Sequence, residues 1–75
     1  MGLSTTIEMP KTAEFLCVQL QGESACAWFL VDFNDNFTVV RKFKIYGTGH
    51  TIPMAEKYLG TYQSPPFVWH LFEEL

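Results

Sequence analysis

The stretch EFLCVQLQGESACAWFLVD, residues 14–32, reads as a β-hairpin and decides the fold class. Within Glu14 to Gln21, Leu16, Val18 and Leu20 alternate with Phe15, Cys17 and Gln19, the period of two that a strand imposes on its faces. Gly22-Glu23 follows, with glycine at the first turn position, as a type II′ hairpin wants. Ala25 to Asp32 is the returning strand. It is apolar on both faces, which places it in the middle of a sheet. Closing the hairpin at Gly22-Glu23 pairs Gln21 with Ser24, sets Cys17 opposite Trp28 and turns Cys26 toward Gln19. The two thiols then share a face without being partners, which argues against a bridge.

Outward from the hairpin the chain stays β-like. Ser4 to Met9 is an edge strand that stops at Pro10, and Pro10 to Ala13 is a turn. Phe33 to Phe37 is a loop of Asn and Asp, residues that bond their own backbone. Thr38 to Tyr46 has the clearest alternation: Val39, Phe43 and Ile45 point one way, and Val40, Lys42, Lys44 and Tyr46 the other. Gly47-Thr48-Gly49-His50 breaks that strand. Ile52 to Lys57 has room for at most one helical turn, with Pro53 at its first position. Tyr58 to Ser64 and Phe67 to Glu73 are the last strands, joined across Pro65-Pro66. The expected fold is all-β, a small antiparallel barrel or sandwich of five to six strands in one domain spanning residues 1–75.

Composition narrows the function. The chain is 48% hydrophobic and 16% aromatic, which excludes disorder. A chain this short buries only about 60% of its unfolded surface, so surplus apolar area points to a homo-oligomer. Five Lys and Arg against eight Asp and Glu give a net charge of −3, the wrong balance for gripping a long nucleic acid. No apolar run approaches 18 residues and no secretory leader is legible, so neither a membrane partner nor export is expected. Two cysteines are too few for a disulfide framework, which suits a reducing, intracellular setting.

The candidate ligand site is Tyr46-Gly47-Thr48-Gly49-His50-Thr51. Two glycines let backbone N–H groups approach an anion, and Thr48, Thr51 and His50 add side-chain donors. The spacing fits neither a P-loop nor a dinucleotide fingerprint, and the same glycines would also serve a plain turn. Arg41 and Lys44 offer charge, Tyr46 or Trp69 a ring for stacking, and His70 a further contact. Each has an ordinary alternative: a solvated strand face, a core ring, a hydrogen-bonded core histidine. Catalysis finds no support, because Cys17 lies in an apolar strand and no base and orienting group accompany it. Two isolated histidines make no zinc site and Asp32 with Asp35 no calcium cage, so no metal and no cofactor is expected.

The blocks from Ile7 to Gln19, Phe43 to His50, Tyr58 to Gln63 and Phe67 to Glu73 resemble a family of small phage and prophage proteins, recognised only as a domain without assigned activity. Its most specific parts are Y-G-T-G-H at Tyr46 to His50 and V-W-H-L-F-E at Val68 to Glu73. Members begin with a further aromatic-rich strand, here shortened to Gly2 to Thr6. The resemblance implies a setting in the cytoplasm of an infected bacterium, where small non-enzymatic phage proteins inhibit host defence. One expected role is a sponge that sequesters a small nucleotide-type immune signal. Direct binding to a defence protein, through an apolar patch and the acidic Glu73-Glu74, is the alternative, with a virion component as a third.

Overall fold

The computed structural model describes residues 2–49, 52 and 55–75. Six antiparallel strands run in chain order: β1 (Gly2–Pro10), β2 (Glu14–Gln21), β3 (Ser24–Leu30), β4 (Thr38–Gly47), β5 (Glu56–Ser64) and β6 (Phe67–Glu74). One sheet has four strands in the order β1-β4-β6-β5, the other only β2 and β3. The arrangement is a small open sandwich, not a closed barrel.

The β2–β3 register is the one the turn predicts, with Gln21↔Ser24, Cys17↔Trp28 and Gln19↔Cys26. Gly22 has φ 60° and Glu23 is not left-handed, the pair of conformations that defines the type II′ turn. Three expectations change. β3 is not central: it pairs with β2 alone and ends at Leu30, so the apolar face carrying Trp28 and Leu30 meets solvent. A bulge between Phe15 and Cys17 turns Phe15 inward with Val18 and leaves Leu16 exposed, so the simple alternation fails there. Cys17 is exposed as well. β5 begins at Glu56, so Glu56 and Lys57 are strand and not helix, and Pro53 lies outside the described residues.

The core is compact and one-sided. Met9, Ala13, Phe43 and Leu71 are buried, with Phe15, Val18, Phe29, Ile45 and Leu59 packed around them. Phe15, Phe29 and Phe43 form an edge-to-face chain with centroids 5.7 Å apart at each step. β2 stands on β5 where Gly60 leaves room: a Cβ there would lie 3.0 Å from Val18 Cγ1. A second bulge, between Tyr58 and Gly60, sends Leu59 into this core.

One charged side chain shares the inner face. Arg41 alternates with Val39, Phe43 and Ile45 and therefore points inward. Its Nε and Nη2 donate to the two carboxylate oxygens of Glu73 at 2.5 and 2.6 Å, and Nη1 donates to the Ala13 carbonyl at 2.8 Å. The guanidinium also lies 5.6 and 5.7 Å from the Phe29 and Phe43 ring centres. Glu73 is therefore not part of an acidic tail. Side-chain exposures of 18% and 12% make this a buried, forked pair.

The loop before β4 is held by its own side chains. Asp32 accepts from the Asn34 amide, and Asp35 accepts from the Phe37 amide and from the amide and hydroxyl of Thr12. The Thr12 hydroxyl bond, then the Phe37 and Thr12 amides, hold the Asp35 carboxyl below its ordinary 3.8.

Two outcomes follow. Arg41→Ala strands a buried carboxylate and lowers unfolding free energy by about 3–5 kcal/mol in urea titration, whereas Arg41→Met with Glu73→Leu recovers most of it. Asp35 contributes its stabilisation above pH 3.8 and loses it as pH falls through its lower folded value. The protection factors of the Thr12 and Phe37 amides, taken relative to intrinsic exchange at each pH, should fall over that acid window in the native chain and stay level in Asp35→Asn.

Candidate functional site

The outer face of the four-stranded sheet is built by the alternate residues of β4 and β6. Register sets Lys44 against Phe72 and Tyr46 against His70 on β6, and the β5–β6 pairing adds Tyr58 beside Phe72 and Thr61 beside His70. Tyr46 and Tyr58 both meet Phe72 edge-on, at 5.5 and 5.4 Å between centres. Phe72 is thereby buried to 8% exposure although it faces away from the core.

His70 sits beside this aromatic row with both ring nitrogens engaged. Thr48 Oγ1 lies 3.2 Å from Nε2, Thr61 Oγ1 lies 2.9 Å from Nδ1, and the Tyr58 hydroxyl is 2.5 Å from Thr61 Oγ1. The chain Tyr58–Thr61–His70–Thr48 rims a hollow of about 420 Å³, lined also by Gly47, Gly49, Ile52 and Phe72. Gly49 has φ 91°, a conformation that L side chains rarely adopt, so the turn there requires glycine. The hollow offers an aromatic floor, hydroxyls and an imidazole on the rim, and exposed backbone at Thr48 and Gly49.

Charge on this face is already matched. The Glu56 side chain is only 1% exposed: one carboxylate oxygen accepts from the Tyr46 hydroxyl, and the other lies 3.3 Å from Lys44 Nζ without an aligned hydrogen bond. Lys44 also pairs with Glu74 at 3.5 Å, and Lys42 lies 3.8 Å from the same residue. Desolvation opposes the charge on Lys44, but the Glu56 carboxylate outweighs it, and the ammonium stays above its ordinary 10.5. The hydrogen bond to Glu56, then burial, raises the Tyr46 phenol above 10.0.

Of the residues the sequence singles out, Gly47, Thr48, Gly49 and His70 come together around the hollow, with Tyr46 and Lys44 beside them on the same face. Arg41 does not join them, because it points inward to Glu73. Trp69 also lies on the other face, where it lines a separate hollow with Tyr62 and Leu20 and tilts against Phe67. His50 and Thr51 lie outside the described residues.

Residues 2–75 match the family described as a domain of unknown function (DUF7352). The chain belongs to that family. No curated protein and no solved structure matches it.

Sequence reading missed Tyr58, Thr61, Glu56 and Phe72 as part of this site. Thr61 carried a usable signal: counting back from a turn at Pro65-Pro66 pairs Ser64 with Phe67 and, three steps on, Thr61 with His70. Glu56 carried none, because its reach across β6 depends on the bulge in β5.

A phenol raised in the folded state stabilises below pH 10.0, and that contribution disappears as pH rises through the folded value. NMR titration of the tyrosine rings should find Tyr46 ionising above 10.0 in the native chain and shifting down in Glu56→Gln; an unshifted titration would show that Glu56 is not the cause.

Proposed function

We propose that this protein is a non-enzymatic binding protein that holds a small nucleotide-type molecule in the outer-face hollow. The observation that carries this reading is the hydrogen-bonded chain from Tyr58 through Thr61 and His70 to Thr48 at the rim of an aromatic-floored hollow. A base stacks on an aromatic surface with about 1–3 kcal/mol per base, and the exposed Tyr58 ring, backed by Phe72, provides such a surface. Ribose hydroxyls or phosphate oxygens take up donors from Thr48, His70 and the Thr48–Gly49 backbone. Lys44 is held by Glu56 and Glu74, so it supplies background potential more than a free phosphate clamp. Arg41 has no part in the site.

The biological role that fits this chemistry is sequestration: a phage-encoded sponge that lowers the free concentration of a nucleotide immune signal in an infected bacterium. A second reading, direct binding to a defence protein, is favoured by the loop between β3 and β4. Phe33 is 95% and Phe37 76% exposed there, on a backbone fixed by Asp32 and Asp35. Rigid, exposed aromatics of this kind anchor protein interfaces.

Titration calorimetry with cyclic dinucleotides and cyclic ADP-ribose derivatives tests the preferred reading. One member of the panel should bind the native protein, with affinity reduced about five- to twelvefold in His70→Ala and in Thr48→Val, since each lost rim hydrogen bond to a ligand is worth about 1–1.5 kcal/mol. Silence across the panel, combined with capture of a stoichiometric protein partner that Phe33→Ser abolishes, would transfer the assignment to the second reading.

A further inference from the structure

The two sheets do not match in width. One has four strands and the other two. β2 stands on β5 at Gly60, and β3 reaches only far enough for Phe29 to meet Phe43 on β4. The inner face of β1 therefore has no strand above it. Ile7, on that face, is 42% exposed, and Thr5 is exposed beside it. Between this overhang and β3 lies a cleft of about 350 Å³, lined among others by Thr5, Ile7, Met9, Phe29, Phe43 and Leu71, and no charged residue among those described lines it.

The edges that frame the mouth are β1 and β3. Free edges are usually blunted with lysine, proline or a bulge. β3, from Ser24 to Leu30, has no charge and no proline, and its one register shift with β2 lies on the β2 side. The surface excess is quantitative. The chain exposes 5501 Å², whereas a folded monomer of its mass exposes about 4,700 Å², an excess of roughly 800 Å². That is close to the roughly 800 Å² that each partner buries in a standard interface.

We propose that a second copy of this chain closes the cleft, mouth to mouth, about a two-fold axis running along the strands. In this arrangement β3 of each copy continues its sheet at β1 of the other. Each layer then has six strands, four from one copy and two from the other. The overhanging β1 and β4 of the two copies cover one another, and the two clefts merge into one apolar core. Pairing β3 with β3 would instead join the two narrow sheets into one layer of four strands and leave both β1 edges unpaired. An isologous contact sets the same surface of both copies face to face, residue i of one against j of the other and j against i, so an uncharged mouth suits it. The assembly goes beyond the nucleotide reading and is independent of it, because the hollow lies on the opposite face of the four-stranded sheet.

Sedimentation velocity at high micromolar concentration should give twice the 8.6 kDa chain mass. Ile7→Asp should return it to the single-chain mass with an unchanged circular dichroism spectrum. A cysteine scan of Ser4 to Ile7 in a Cys17→Ser background keeps the test open if that variant misfolds. On mild oxidation at least one position should give a covalent dimer joining β1 of one copy to Cys26 of the other. A single-chain mass for the native protein overturns the proposal. So does a dimer whose only cross-link is Cys26 to Cys26, since that is the β3-to-β3 arrangement.

Discussion

The inner face of this sandwich depends on a guanidinium placed where the alternation of β4 calls for an apolar residue. Arg41 reaches Glu73 on β6, the Ala13 carbonyl at the link between β1 and β2, and the face of Phe29 on β3. One side chain thus touches both sheets and the connection between them. Burying two charges is costly, and here the cost is offset by a planar fork that satisfies both carboxylate oxygens and a carbonyl together. Lysine, a point charge on a flexible stem, cannot make those bonds at once. With so few residues buried in the chain, this polar junction fixes how β6 lies against the β1–β2 corner, and therefore where the outward-facing His70 and Phe72 are presented.

The same geometry separates the basic residues of β4. Arg41, Lys42 and Lys44 are close in sequence, but a strand sends Arg41 inward and the two lysines outward. Each then finds a carboxylate: Glu73 for Arg41, Glu74 for Lys42, and Glu56 with Glu74 for Lys44. The acidic end of the chain is folded back as counter-charge. What the outer face offers a ligand is consequently hydroxyl, imidazole and ring. The rim bond between Thr48 and His70, 3.2 Å long and exposed, is the one most easily exchanged for a ligand group, because water already competes for it.

Much of this was legible in the sequence, for identifiable reasons. A two-residue turn leaves no freedom in register, so Gly22-Glu23 alone predicts every pair from Gln21↔Ser24 back to Cys17↔Trp28. The Asn and Asp of the loop before β4 announce the side-chain-to-backbone bonds they make. The inward direction of Arg41 was also present in the alternation with Val39, Phe43 and Ile45, though its charge argued for solvent. What the sequence hides is anything that depends on counting strands or on a bulge. An apolar strand such as β3 reads the same whether two sheets cover it or one face is bare. A bulge inserts a residue without changing composition, so the reversal at Phe15 and Leu16 leaves no trace in the period.

The bulge in β5 matters most for how the two faces communicate. Along β4 and β6, inner and outer residues strictly alternate, so Phe43, Ile45 and Leu71 serve the core while Lys44, Tyr46, His70 and Phe72 share the outer face, the last two lining the hollow. At Tyr58-Leu59-Gly60-Thr61 the alternation slips: Leu59 and Gly60 both turn to the core side, one into the packing and one against Val18. Tyr58 and Thr61 flank them on the other face, joined by their hydroxyls. The extra residue brings these two hydroxyls within one hydrogen bond, which a regular strand would prevent by placing residues three apart on opposite faces. The close packing of β2 on β5 and the Tyr58–Thr61–His70 chain are therefore consequences of one inserted residue, and the rim of the hollow is fixed by the contact that joins the two sheets.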